Sequence, residues 1–357
     1  MSTRTDTGNH PADPVPPPPE GDGGPDAPRA PAPPQALSPS RAADFMTCPL
    51  MYRFRVIDRL PEKPRASAAR GTLVHAVLER LFDDPAAERT PPRARALVAP
   101  AWERLLADRP ELAELFTDGD EGRPGGAAGS ADGTGDGGDG GDGGDGGDGG
   151  DGSAAGAAER LAEWLAGAER LVERWFTLED PARLEPAERE LFVETVLASG
   201  LKLRGVIDRV DVAPTGEVRV VDYKTGKAPP PEYAADALFQ IKFYALVLWR
   251  LRGSVPRRLQ LVYLGSGDVL TYDPDEADLR GVERKVHALW EAIRRATESG
   301  DWRPRPGRLC DWCDFKDSCP AFGGTPPPYP LTGVDPGLPQ PRPAGAGEGA
   351  QGRMETA

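Results

Sequence analysis

The 357-residue sequence has no apolar run of membrane-spanning length, and no basic stretch leads into an apolar one at its N-terminus. A soluble, intracellular, cytoplasmic protein is therefore expected. Cysteine is scarce, with four in the chain. In a reducing compartment four thiols serve more readily as metal ligands than as disulfides. No Gly-rich loop ending in Lys-Ser/Thr occurs, so the chain carries no nucleotide-driven motor of that type. Large apolar side chains are nearly missing from residues 1–36 and 323–357, which cannot bury enough surface to offset the entropy of ordering and are expected to be disordered tails.

A third such stretch is internal, over residues 118–153. Its centre, "DGTGDGGDGGDGGDGGDGGDG" (132–152), is a Gly-Gly-Asp repeat. Calcium-binding repeats of similar composition need a large apolar residue in each turn, and none is present, so a disordered acidic loop is the expectation. Helical patterns on both sides make it an interruption within one domain, residues 37–322. The balance of 43 Lys and Arg against 57 Asp and Glu gives a net charge of −14. Ten of those acids lie between 118 and 151, against Arg123 alone, so the folded remainder is close to neutral and net charge decides nothing about a polyanionic partner.

Helical and strand periods alternate along the rest. "ARGTLVHAVLERLF" places Leu73, Val74, Val77, Leu78, Leu81 and Phe82 on one stripe, with His75 off its centre. "PAERELFVETVLASGLKLRGVIDRVDV" changes to strand character around a Ser199-Gly200 turn, "EYAADALFQIKFYALVLWRLRG" is an apolar helix, "RLQLVYLGSGDVLTYD" is a hairpin, and a long helix ends at Gly300. This order favours an α/β or α+β core, one sheet flanked by helices.

The segment "GVIDRVDVAPTGEVRVVDYKTGK" (205–227) reads as two strands around a tight turn, yet places charges in apolar runs. By strict alternation Val206, Asp208, Val210 and Val212 share a face, as do Val218, Val220, Asp222 and Lys224. With the turn near Thr215, Val212 lies opposite Val218 and Asp208 near Asp222. Adjacent carboxylates repel unless a cation lies between them, and Mg²⁺ or Mn²⁺ suits such an oxygen pair. Lys224 then stands where it can hold a water beside the metal, the minimal arrangement for metal-assisted phosphodiester hydrolysis. The competing reading is a surface hairpin with solvated charges.

Asp208 in "GVIDRVD" with Asp222-Tyr223-Lys224 in "VVDYKTGK" resembles the catalytic core of the PD-(D/E)XK nuclease superfamily, in particular its RecB-like exonuclease branch. His75 in "GTLVHAVLE" and Gln240 with Tyr244 in "FQIKFYALV" match that branch's other motifs in type and order. The resemblance implies a restriction-endonuclease-like central mixed sheet and a DNA exonuclease activity in repair or recombination. It implies that Asp208, Asp222, His75 and the Tyr223 carbonyl hold a divalent metal, that Lys224 activates water, and that Glu190 is the acid preceding the hairpin, with Glu188 and Glu194 as neighbours. Gln240 and Tyr244, one helical turn apart, orient the lysine or the DNA strand. Read singly, His75 is better taken as the i,i+4 partner of Glu79 on a wet helix face, Gln240 as an ordinary polar edge residue and Tyr244 as an ordinary core aromatic.

Cys48 lies far upstream of Cys310, Cys313 and Cys319, a C-x2-C-x5-C run followed by Pro320. One lone cysteine plus a C-terminal trio resembles the iron-sulfur nucleases of the AddB-type and CRISPR adaptation exonuclease groups, which implies a four-iron four-sulfur (4Fe-4S) cluster joining the two ends of the domain, with zinc as the alternative. Arg204, Arg209, Lys227 and Lys242 are candidates for phosphate attraction, and Tyr223 and Tyr244 for stacking on an unpaired base of a single-stranded end. A motor, if one is needed, would come from a helicase partner. A catalytically idle DNA-binding scaffold and an RNA nuclease are the rival readings.

Overall fold

The computed structural model describes residues 35–117 and 151–329. The N-terminal segment, most of the acidic loop and residues from 330 onward lie outside the described residues, and so do the disorder expectations that fall on them. Ser38 caps helix α1 (Pro39–Thr47) by accepting from the Arg41 N–H. The Cys48-Pro49 step breaks the helix, as proline excludes helical backbone before it, and α2 (Pro49–Tyr52) follows with a π-helical turn (Arg53–Ile57). Next come α3 (Ala66–Leu81), α4 (Pro91–Ala96), α5 (Val98–Asp108) and α6 (Asp151–Leu178).

Strands β1 (Ala36–Leu37), β2 (Glu188–Val196), β3 (Lys202–Val212), β4 (Val218–Lys224), β5 (Arg258–Tyr263) and β6 (Asp268–Tyr272) form one mixed sheet in the order β1-β3-β4-β5-β6, with β2 also paired to β3. The β2/β3, β3/β4 and β5/β6 pairs are antiparallel, and β1/β3 and β4/β5 are parallel. A parallel pair needs a crossover, and α7 (Ala234–Arg252) supplies it between β4 and β5. Helix α7 is apolar nearly all round because it is buried nearly all round. Amphipathic α8 (Glu276–Ser299) lies against it, opened by an Asp275/Asp278 capping box and closed by Gly300 at φ +70°.

Helices α1, α2, α7 and α8 cover one face of the sheet and α3–α6 the other. Strand β4 faces both layers in alternation: Val218 and Val220 pack with α7, Val221 and Tyr223 with α3 and α6. The expected turn register holds, with Val212 opposite Val218 and Val210 opposite Val220. The expected face for all four β3 residues does not. Leu203 and Ile207 point into the α7 layer, and so does Val210, so the alternation changes phase around Asp208 and Val206 falls outside that core.

The folded limits also differ from the expected 37–322. Ala36 is fully inside the sheet, and Tyr329 packs on Trp302 and donates to the Thr297 carbonyl at 2.9 Å. A two-residue strand and a single docked tyrosine carry no period that a sequence reading could detect. Among the described residues no helix is long and apolar enough to cross a membrane.

Candidate active site

The phase change in β3 prepares the site. Pairing of β2 with β3 runs Arg189 to Arg209 and resumes Leu191 to Ile207, skipping Glu190 and Asp208. Glu190 has φ +43°, a left-handed conformation costing a non-glycine residue about 1–3 kcal/mol. Glu188 is exposed and Glu194 pairs with Lys202 at 3.1 Å. Of the three acids on β2, Glu190 is therefore the one that faces the hairpin's carboxylates.

Helix α3 brings His75 over the same point. Its Nε2 lies 3.0 Å from the Tyr223 carbonyl, which can only accept, so Nε2 carries the hydrogen. That leaves Nδ1 facing carboxylate oxygens of Asp208 at 3.6 Å and Glu190 at 3.9 Å. The three ligand atoms lie within 4.8 Å of one another. Three Lewis bases so close, two of them anionic, suit a shared cation, and an imidazole oriented through its other nitrogen by a carbonyl is the usual form of a histidine ligand.

Asp208 also accepts the Tyr223 N–H at 2.7 Å, which ties β3 to β4 where their ladder ends. Asp222, 1 % exposed, is turned the other way, with its carboxylate 2.6 Å from the Lys224 ammonium. Gln240 on α7 holds both, accepting from Lys224 Nζ at 2.9 Å and donating to Asp222 Oδ1 at 3.1 Å, and its amide meets the Tyr244 hydroxyl at 3.3 Å. Burial first, and the Asp208 charge second, push the Asp222 carboxyl up to about 6, with Lys224 opposing. The same two causes push Glu190 up to about 7, with His75 opposing. Both acids are thus held in surroundings that disfavour a lone negative charge and favour a bound cation.

The proposed residues form two adjoining groups. His75, Glu190 and Asp208 converge, with the Tyr223 carbonyl at their edge already accepting from His75. Asp222, Lys224, Gln240 and Tyr244 form a second chain of contacts beside them. Glu190, expected among the catalytic residues, stands with the metal-ligand candidates, and Asp222 lies outside the tight triad.

Two expectations about DNA contacts fail. Arg209 is 1 % exposed and cannot meet a phosphate. It lies on the opposite face, paired to Glu179 at 2.6 and 2.9 Å and to Asp211 at 3.2 Å, and it donates to the Tyr223 hydroxyl. Tyr223 and Tyr244 are both buried, so neither ring can stack on a base. Of the other candidates, Lys242 sits 3.7 Å over the Tyr272 ring. The Glu179-Arg209-Tyr223 network is the feature that sequence reasoning missed. An arginine amid valines was its one signal, and its partner lies 30 residues away.

The four cysteines line one cavity of about 380 Å³ between the Cys48 turn and the 3₁₀ turns of residues 308–322. Backbone N–H groups of Arg305 and Gly307 point at the sulfurs of Cys48 and Cys310 at 3.4 and 3.3 Å. The thiols are spread wider than the His75 triad, which among the described residues is the one set of three such ligand atoms within 4.8 Å.

Residues 36–132 and 145–320 match the family model of the PD-(D/E)XK nuclease superfamily. Two curated relatives are the Gene 69 protein of Mycobacterium phage L5, 31 % identical over 126 residues, and that of Mycobacterium phage D29, 32 % identical over 139 residues. These matches cover 34 % and 37 % of this chain and 41 % and 48 % of the relatives, so the chain spans less than half of either. A crystal structure from Eubacterium rectale, named as a candidate exonuclease, is 14 % identical with a TM-score of 0.43, covering 78 % of this chain and 87 % of that one. With a family match over most of its length, on a mixed sheet flanked by helices, the chain belongs to the PD-(D/E)XK nuclease superfamily.

Proposed function

We propose that this chain is a divalent-metal-dependent deoxyribonuclease that shortens DNA from an end, of the RecB-like iron-sulfur type and serving repair or recombination. The observation that carries the reading is the convergence of His75, Glu190 and Asp208 within 4.8 Å, beside the Asp222–Lys224 pair. A Mg²⁺ or Mn²⁺ ion held there by Asp208, Glu190 and His75, with Asp222 at its side, would neutralise charge on the phosphate and lower the pKa of its water.

The chain's own groups supply the remaining parts. Lys224, fixed between the Asp222 carboxylate and the Gln240 carbonyl oxygen, presents its ammonium to the attacking oxygen and holds it in line. Gln240 keeps the lysine from rotating away, and Tyr244 supports Gln240. The His75–Tyr223 contact fixes the imidazole so that Nδ1 faces the acids.

A 4Fe-4S cluster on Cys48, Cys310, Cys313 and Cys319 belongs to the same proposal. Four thiols spread around one cavity suit a multi-iron group better than a zinc ion, whose tetrahedral bonds of about 2.3 Å would draw the sulfurs to about 3.8 Å. Its part is to tie the first helices to the C-terminal turns across more than 250 residues.

The test is cleavage of end-labelled single- and double-stranded DNA by anaerobically purified protein with Mg²⁺, Mn²⁺ or EDTA, beside Lys224→Ala and Asp222→Asn. Metal-dependent shortening, reduced at least 100-fold in both variants, is the expected result. Absence of cleavage by folded, metal-loaded wild type would turn the reading to a DNA-binding scaffold.

A further inference from the structure

Two guanidinium groups stand together where α3 meets α6, and among the described residues neither has an acidic partner. Arg70 lies on α3 and Arg170 on α6, and they meet over Gly167. A methyl group at Gly167 would lie 3.5 Å from Arg70 Cζ and 3.6 Å from Arg170 Nη2. Arg70 Nε is buried without an acceptor, and the group sits 5.6 Å over the Trp164 ring, which holds it in place without neutralising it. Burial and the Arg170 charge both lower the Arg70 pKa, as for a cation short of a counter-charge. Other arginines of the same layer are matched: Arg95 with Glu173 and Arg189 with Asp83.

The position connects this pair to the chemistry. Arg70 precedes His75 by five residues on one helix, a rise of about 7.5 Å. A methyl group on Gly71 would lie 3.6 Å from Thr225 Oγ1, next to Lys224. One turn further along α6 from Arg170, Arg174 binds the Leu264 carbonyl at 3.0 Å. The pair therefore overlooks the end of β4 that carries the lysine.

We propose that Arg70 and Arg170 form a two-armed clamp for one phosphodiester of the DNA strand, beside the end of β4 that carries Lys224. Two guanidiniums aimed at one point repel each other until an anion bridges them, and their planar forks match phosphate oxygens. The inference rests on the nuclease reading and names a substrate contact for it.

The experiment is equilibrium binding of a fluorescein-labelled oligodeoxythymidylate, and of its duplex with oligodeoxyadenylate, in Ca²⁺ without Mg²⁺. Wild type is compared with Arg170→Gln, Arg70→Gln/Arg170→Gln, and Arg257→Gln, which makes the same charge change at the far end of β4. Arg170 is exposed, so its variant tests the clamp without a packing loss. The expected result is at least tenfold weaker binding by the double variant, with a salt slope shallower by about 0.7 per lost contact on single strands. In cleavage assays the loss falls on KM. If wild type cuts DNA while both Arg170 variants bind like Arg257→Gln, the clamp is overturned and the nuclease reading stands. If wild type neither binds nor cuts, both fall.

Discussion

Gly205→Ala tests the physical link between the sheet and Lys224, the proposed catalytic lysine. A Cβ at this position would lie 2.5 Å from Tyr244 Cε1 and 3.3 Å from Cδ1, against about 3.5–4.0 Å for ordinary carbon contact. The tyrosine ring must retreat by about 1 Å, and it is buried against Phe243 with its hydroxyl at the Gln240 amide. Overpacking of this kind costs about 1–3 kcal/mol, and replacing a strand glycine returns about 0.5–1 kcal/mol. A net loss of about 1–2 kcal/mol lowers Tm by about 2–8 °C in a domain of this size. A ring displaced by about 1 Å also shifts Gln240 and so the lysine, which lowers kcat by about 10–100-fold. The assays are thermal melting and single-turnover cleavage, run beside Tyr244→Leu and the double variant. If the clash is the cause, the double variant melts close to Tyr244→Leu alone. A Gly205→Ala protein that melts and cuts like wild type, or strict additivity in the double variant, would refute the reasoning.

Arg209→Leu strands the Glu179 carboxylate in the layer beneath the site, and breaking a buried pair in this way costs about 3–5 kcal/mol, measured by urea denaturation. A loss under about 1 kcal/mol would mean that the network contributes little. Metal-free protein should lose stability as pH rises from about 4 to 7. Folded Asp222 and Glu190 keep their protons up to about 6 and 7, where ordinary carboxylates in the unfolded chain have lost theirs, so the folded state binds more protons across that window. Saturating Mg²⁺ should flatten this slope, and Tm profiles identical with and without metal would contradict it. Cys48→Ser, purified anaerobically, should lack the visible absorbance expected of the proposed cluster and melt several degrees lower than wild type. A variant that loses the absorbance and keeps its Tm would remove the structural role from the cluster.

The hairpin register was legible because a turn and two runs of alternating valines leave few ways to pair β3 with β4. The α3 stripe was legible for the same reason, as an apolar period repeated over nearly three turns. The kink at Glu190 was not, since a single residue at positive φ leaves no trace in a period. The fate of individual charges was also hidden. Arg204, Arg209, Lys227 and Lys242 look alike in the sequence, and the one with a buried counter-ion is revealed only when Glu179 arrives from another element. Arg70 and Arg170 were missed because their meaning lies in having no such partner, which depends on α3 and α6 packing side by side. Candidate site residues were found where chemistry is written in spacing, as in Asp222-Tyr223-Lys224. They were misjudged where burial decides, as with the two tyrosines.

Strands β4 and β5 both border the two helical layers, and the groups around the end of β4 come from positions 75, 190, 208, 222, 224 and 240. No local segment holds a working subset: α3 docks from one side, α7 from the other, and β2 must kink to complete the triad. A chain still emerging from the ribosome carries most of these residues well before α7 can fix the lysine. On the nuclease reading proposed above, cutting is thereby tied to completion of the fold.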